Sequence, residues 1–163
     1  MVEMELVAVR IELPGNIPVV VLREVSEEHR LLPIFIGQPE ATAIAFALDG
    51  VLTQRPMTHD LLRDVLAGLD VQVERVVVTH LEEGTFFAEL HLRQGENTLV
   101  VSSRPSDAMA LALRVNCPIF ATEDLLDDAG LPEDTEEEPA EEGDVVEQFK
   151  EFIDNVNPDD FAS

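Results

Sequence analysis

The alternation of hydrophobic and polar positions predicts the same series of elements twice along this 163-residue chain. Short runs that alternate or stay apolar are typical of β-strands, and an apolar residue at every third or fourth position indicates a helix. The predicted strands cover residues 4–13, 17–25 and 31–36 in the first half, and 71–81, 86–93 and 98–102 in the second. The predicted helices cover residues 39–48, 58–69 and 105–115, and a last short strand follows at 118–121.

The helices at 39–48 and 105–115 resemble each other in sequence. Residues 40–45 read EATAIA and residues 107–112 read DAMALA, each with a proline just ahead. Each helix therefore has a carboxylate in its first turn, and its many alanines allow close packing. We predict an α/β (α+β) fold in which a three-strand-plus-helix unit is duplicated, with helices packed on a mixed, largely antiparallel sheet. The domain is expected to cover residues 1–131.

The C-terminal part of the chain has a different composition and ends in an acidic tail. Residues 132–143 are mostly acidic or small, so we predict a disordered acidic linker there. Residues 144–163 are predicted to form a short amphipathic helix and tail, with Val145, Phe149, Phe152 and Val156 on one face. A helix this short is marginal alone, which indicates a possible protein partner for it.

The charge and composition restrict the classes of function. The net charge is −24, and the first 122 residues alone carry 17 acidic residues against nine arginines, giving −8. This balance weighs against a non-specific nucleic-acid binder. Cys117 is the single cysteine, so no disulfide is expected, and we interpret it as a small core residue. No signal-peptide or membrane-helix pattern is present, so we expect a cytoplasmic protein without membrane contact.

The first polar cluster consists of Arg55, Thr58, His59 and Asp60. His59 has the chemistry of a general base or metal ligand, Asp60 that of its orienting partner or a second ligand, and Arg55 that of a phosphate contact. The alternative is an ordinary helix start, in which Thr58 caps the helix, Asp60 faces the helix dipole and His59 is solvated.

The second polar cluster, Arg104, Ser106 and Asp107, begins the helix at 105–115. An arginine at a helix start can form an anion cradle, whereas an Arg104–Asp107 pair could equally brace the turn. Glu40, Asp60 and Asp107 together could hold a hard divalent cation, although nothing in the sequence brings them together. His80 and His91 lie in predicted strands without ligand spacing, which favours structural or solvated roles.

Four segments of the chain resemble one known family. They are IGQPEATAIAFALDG with RPMTHDLL, SSRPSDAMALALR, and CPIF, and they resemble the bifunctional nuclease domain family, described as cleaving both DNA and RNA. The resemblance covers about residues 2–131 and implies a duplicated β-rich fold and a homodimer. The family's polar positions fall on Glu40, Arg55, Thr58, His59, Asp60, Arg104, Ser106 and Asp107.

The resemblance implies hydrolysis of phosphodiester bonds in DNA or RNA. The hypothesis is that Mg²⁺ or Mn²⁺, held by Glu40, Asp60 and Asp107, activates water while His59 transfers protons. Arg55 and Arg104, with Thr58 and Ser106, are the residues predicted to bind substrate. The alternative is a non-catalytic, dimeric interaction or regulatory module in which the arginines bind a small anion or a partner protein.

Overall fold

In the computed structural model, which describes residues 1–133, seven β-strands form one sheet. The strands are β1 (Val2–Glu12), β2 (Ile17–Glu24), β3 (Leu31–Phe35), β4 (Gln72–Glu82), β5 (Thr85–Gln94), β6 (Asn97–Ser103) and β7 (Ile119–Ala121). The helices are α1 (Gln38–Leu48), α2 (Thr58–Gly68), α3 (Pro105–Val115) and α4 (Glu123–Ala129). The predicted linker beyond residue 133 and the predicted helix and tail at 144–163 lie outside the described residues.

The order of strands in the sheet is symmetric about β7. The sheet runs β3-β2-β1-β7-β4-β5-β6, so each half contributes three consecutive strands and β7 joins them. β7 is parallel to β4, and all other neighbouring strands are antiparallel. In the turn between β4 and β5, Gly84 has a φ of 77° that favours glycine. The predicted mixed, largely antiparallel fold is confirmed.

The core lies between one face of the sheet and helices α1 and α3. These helices pack on each other as well as on the strands. Their alanines make this approach possible, since Ala41, Ala43, Ala45, Ala108, Ala110 and Ala112 are all between 0 and 3% exposed. Large aliphatic residues such as Leu22, Leu32 and Leu111 fill the space between them. Close contact between the two helices is what brings their first turns together.

Helix α2 begins differently from its prediction, and most of its apolar side chains are exposed. Met57, not Thr58, is the N-cap residue, and its backbone N–H donates to Asp60 Oδ2 at 3.0 Å. Most apolar side chains of α2 do not face the core: Leu66 packs against the core, whereas Leu61, Leu62, Val65 and Leu69 are exposed. The only buried residue of α2 is His59. The helix is therefore attached to the protein by polar contacts as much as by apolar ones.

Helix α4 is an element that the sequence analysis missed, because the acidic composition after residue 122 concealed two apolar residues. Leu125 and Leu126 are 2% and 1% exposed. Thr122 caps the helix by accepting a hydrogen bond from the Leu125 N–H at 3.3 Å. Arg30 also holds α4, since its guanidinium contacts Glu123 and Asp127 together with Glu24. Two acidic side chains of α4 are thus paired with Arg30, although both remain exposed to solvent.

Candidate active site

Four side chains from the first turns of three helices meet at one place. Glu40 lies in the first turn of α1, His59 in that of α2 and Asp107 in that of α3, while Arg104 is the N-cap residue of α3. The N-cap residue of each of these helices has an extended backbone. His59 of the first sequence cluster and Arg104 and Asp107 of the second are in this way joined, with Glu40, into one site.

His59 and Asp107 form the central hydrogen bond of the site. His59 Nε2 lies 2.9 Å from Asp107 Oδ1, and His59 is buried. Burial favours the neutral form of Asp107, but hydrogen bonds from Arg104 and His59 outweigh it and lower the pKa of this carboxyl. An ionised carboxylate only accepts hydrogen bonds, so Nε2 of His59 is the protonated nitrogen. The lone pair of a neutral His59 ring is therefore on Nδ1.

Arg104 bridges two carboxylates beside this pair. Its Nε donates to Asp107 Oδ2 at 2.7 Å, and its Nη2 donates to Glu40 Oε1 at 2.8 Å. Asp107 and then Glu40 raise the pKa of the guanidinium. The Arg104 side chain remains 65% exposed, whereas that of Glu40 is 14% exposed. The predicted Arg104–Asp107 brace is present, and its cation is open to a ligand from solvent.

These side chains border an open cavity of about 650 Å³, called the His59 cleft. Thr58 also lines it, together with the charged residues. The remaining walls are apolar. The residues that line the His59 cleft are Pro39, Glu40, Ala43, Pro56, Met57, Thr58, His59, Leu61, Arg104 and Asp107.

Asp60 is turned away from this cluster and pairs with Arg114, a residue that the sequence analysis did not select. Arg114 Nε donates to Asp60 Oδ1 at 2.7 Å, and Arg114 Nη1 donates to the Ala110 carbonyl at 2.8 Å. Burial alone would raise the pKa of Asp60, but the hydrogen bonds from Arg114 and Met57 lower it. This bond ties the start of α2 to the end of α3. It positions His59 against Asp107 without contacting the cleft.

The predicted metal ligands do not fit a metal ion in this arrangement. Asp60 pairs with Arg114, and the Arg104 guanidinium lies between Glu40 and Asp107 where a cation would have to bind. Within residues 1–133, no group of three or more His, Cys, Asp or Glu side chains is placed to hold a metal. The positive charge that a metal would contribute next to these two carboxylates is supplied by Arg104.

The two other predicted substrate contacts are distributed differently. Arg55 is exposed in the loop before α2 and does not line the His59 cleft. Ser106 is 6% exposed and lines a neighbouring cavity together with Arg104. Arg55 is thus the one predicted contact that the fold leaves outside both cavities.

Comparison with known proteins identifies the family. A model described as the bifunctional nuclease domain matches residues 20–134. The chain belongs to the bifunctional nuclease domain family. Uncharacterized proteins Rv1829 and MT1877 of two Mycobacterium tuberculosis strains, H37Rv and CDC 1551 / Oshkosh, are each 48% identical over 165 residues, covering 99% of this chain and 98% of the relative.

A plant member of the family is more distant. Bifunctional nuclease 1 of Oryza sativa subsp. indica is 24% identical over 115 residues, which cover 69% of this chain and 35% of the rice protein. The resemblance described from the sequence motifs is therefore confirmed.

None of the helices within residues 1–133 has the length and apolar character that a membrane crossing requires.

Proposed function

We propose that this family member hydrolyses phosphodiester bonds of DNA and RNA in the His59 cleft. The observation that carries the proposal is the 2.9 Å contact between His59 Nε2 and Asp107 Oδ1, with the exposed Arg104 cation bonded to the same carboxylate. A proton-transfer group, its orienting carboxylate and a phosphate-binding cation thus border one cavity. Membership in the family and the name of the rice relative support the same conclusion.

His59 performs the proton transfers in this proposal. Its Nε2–H is held by Asp107, and Nδ1 has no hydrogen-bond partner within residues 1–133, so Nδ1 can take a proton. DNA lacks a 2′-hydroxyl, so the nucleophile common to both substrates is water. Nδ1 accepts a proton from water as its oxygen bonds to phosphorus; the bond from phosphorus to the leaving sugar oxygen breaks, and that oxygen receives the proton. Asp107 stabilises the imidazolium between these steps.

Arg104 binds the phosphate in this proposal. Guanidinium groups bind phosphate oxygens through paired N–H groups, and the exposed side chain of Arg104 is accessible to a strand in the cleft. Before substrate binds, Glu40 holds the guanidinium close to Asp107. A phosphate oxygen then replaces Glu40 as an acceptor. Thr58, which also lines the cleft, can contribute its hydroxyl.

The proposed route contains no step through a metal ion, unlike the prediction from the sequence. Arg104 already offsets the charge of the two carboxylates, and Asp60 has Arg114 as its partner. Dependence on Mg²⁺ or Mn²⁺ is therefore a direct test of the route. Cleavage that requires the metal would make Glu40 and Asp107 its carboxylate ligands after Arg104 has moved.

The test is the cleavage of single-stranded RNA and DNA by purified protein, with Mg²⁺, with Mn²⁺ and with EDTA. His59→Ala and Asp107→Asn are each expected to reduce kcat by about 100-fold or more, the usual contribution of general acid–base catalysis. His80→Ala is the matched control, because His80 is an exposed histidine on β4 that stacks on Phe87 outside the cleft. Circular dichroism establishes that each variant is folded.

Contaminating nuclease is separated from true activity by the same variants. Cleavage that is equal in the parent protein, His59→Ala and His80→Ala would contradict the proposal. If His59→Ala loses activity while Asp107→Asn cleaves at the parent rate, Asp107 has no role in the mechanism and the proposed hydrolysis stands without it.

A second candidate function, a non-catalytic dimeric interaction module, is favoured by one observation. The apolar side of α2 (Leu61, Leu62, Val65 and Leu69) and the residues Leu99–Val101 of the edge strand β6 are exposed. Exposed apolar surface and unpaired strand edges are common at protein interfaces. Sedimentation equilibrium tests the homodimer. A dimer without nuclease activity in any metal condition would favour this module over the hydrolase.

A further inference from the structure

A second cavity, called the Phe35 cleft, adjoins the His59 cleft at Arg104. It is open and has a volume of about 320 Å³. Arg104 lines both cavities, so a ligand with a phosphate at Arg104 would extend from one into the other. The residues that line the Phe35 cleft are Ile34, Phe35, Ile36, Gly37, Gly84, Thr85, Phe86, Arg104, Pro105 and Ser106.

Phe35 is an unusually exposed aromatic residue in this cleft. Among residues 1–133 it is the one phenylalanine with more than half of its surface accessible, at 59%, whereas Phe46 in the core is 2% exposed. Phe86 of the facing hairpin lines the same cavity and is half-buried. An exposed aromatic ring at the wall of an open cleft provides a surface on which a planar apolar group can stack.

Ser106 supplies a polar group at the other side of the same cleft. The residue is 6% exposed, lines the cavity, and its hydroxyl has no hydrogen-bond partner within residues 1–133. Ser106 is the second residue of α3, where backbone N–H groups also lack intrahelical partners. The hydroxyl is not fully enclosed, so a ligand in the cleft with a polar edge can hydrogen-bond with it.

We propose that the Phe35 cleft binds one unpaired nucleobase of the nucleic-acid strand whose adjacent phosphate lies at Arg104. The base stacks on Phe35, and its polar edge hydrogen-bonds with Ser106. A base inside a duplex cannot enter such a cleft without leaving its partner, so the substrate is a single strand. This inference rests on the proposed function and names its substrate class.

The experiment measures the binding of a short fluorescein-labelled single-stranded oligodeoxynucleotide by fluorescence anisotropy. It is done in the His59→Ala background, so that bound strands stay intact. Phe35→Ala is expected to weaken binding by about tenfold or more, the loss typical of one base–aromatic stack. Phe35→Leu, which keeps an apolar side chain but no ring, is expected to behave like Phe35→Ala. Leu52→Ala is the matched control, because Leu52 is exposed and lines neither cleft.

A duplex of the same sequence is expected to bind more weakly than the single strand, and less sensitively to Phe35→Ala. Cleavage kinetics of protein that retains His59 separate the proposed base site from the proposed hydrolysis. If Phe35→Ala cleaves normally and matches Leu52→Ala both in KM and in oligonucleotide binding, the base site is overturned and the proposed hydrolysis stands. Phe35-dependent binding without cleavage would retain the base site and remove the hydrolase. An oligonucleotide that does not bind at all would overturn the base site.

Discussion

Replacing Asp60 by alanine is expected to destabilise the protein by about 3 kcal/mol, because Arg114 would lose its carboxylate partner. The Arg114 side chain is 7% exposed and that of Asp60 is 22% exposed, so the guanidinium would be left charged and nearly out of water. Removing one partner of a buried ion pair costs about 3–5 kcal/mol. The partial exposure of Asp60 and the remaining bond from Arg114 to Ala110 place the value at the lower end.

Urea unfolding followed by circular dichroism measures this loss. With an m-value of about 2 kcal/mol/M, the expected decrease corresponds to a midpoint lower by about 1.5 M. Arg114→Met is the second variant, because it removes the charge that Asp60→Ala leaves unpaired. The double variant is expected to be more stable than the sum of the two single losses predicts, by about 1 kcal/mol or more.

Two results would refute this reasoning about Asp60. A change below about 0.5 kcal/mol in Asp60→Ala would mean that the pair contributes little, as exposed pairs do. Strict additivity in the double variant would mean that Asp60 and Arg114 act independently. A metal-dependent activity that Asp60→Ala abolishes at unchanged stability would restore the role of Asp60 as a metal ligand.

Three further predictions follow from the other charged and titratable groups. Arg30→Ala should lower the free energy of unfolding by about 3–5 kcal/mol, because its partner Glu24 is only 3% exposed. Arg23→Ala, which breaks an exposed pair, should lower it by less than about 1 kcal/mol. Thermal unfolding of the two variants measures the difference. Arg30 lowers the pKa of Glu24 below the ordinary carboxyl value of 4.5. The stability from this pair is therefore fully present above pH 4.5 and is lost as the pH falls through the lower pKa of the folded state. The urea midpoint should thus decrease below about pH 4, and should decrease less in Arg30→Ala. Burial raises the pKa of Cys117 from 9.0 to about 11. A thiol reagent at pH 8 should therefore label the folded protein about 100-fold more slowly than the urea-unfolded protein. Equal labelling rates would contradict this prediction.

The sheet and helices α1 and α3 could be predicted because their signals are local. Alternating strands, turn residues and the repeated alanine-rich helix each lie within about ten residues of sequence. Helix α4 was missed because two leucines, Leu125 and Leu126, among acidic residues give too weak a period, and because it is held by Arg30 from the distant loop before β3. Periodicity identifies the apolar side of α2 but not what covers it, and within residues 1–133 most of these side chains are exposed.

The residues of the site could be selected from sequence, but their pairing could not. His59 and Asp107 are 48 residues apart, and Arg104 and Glu40 are 64 apart, so only the packing of α1, α2 and α3 brings them together. Asp60 was assigned to the metal because a hard divalent cation takes carboxylate oxygens as ligands. Its true partner, Arg114, resembles an ordinary basic residue in the last turn of a helix.

Strand β7 has a consequence for the order in which the chain is made and folded. Residues 119–121 pair with residues 2–4 on one side and with residues 76–78 on the other. Until residue 121 has left the ribosome, β1 and β4 therefore each have an unpaired edge in a three-stranded sheet. Partners so distant in sequence slow folding, and open edges pair readily between chains. A nascent chain that stalls before residue 119 would present two such edges, so the completion of this sheet has to follow the synthesis of nearly all of the described residues.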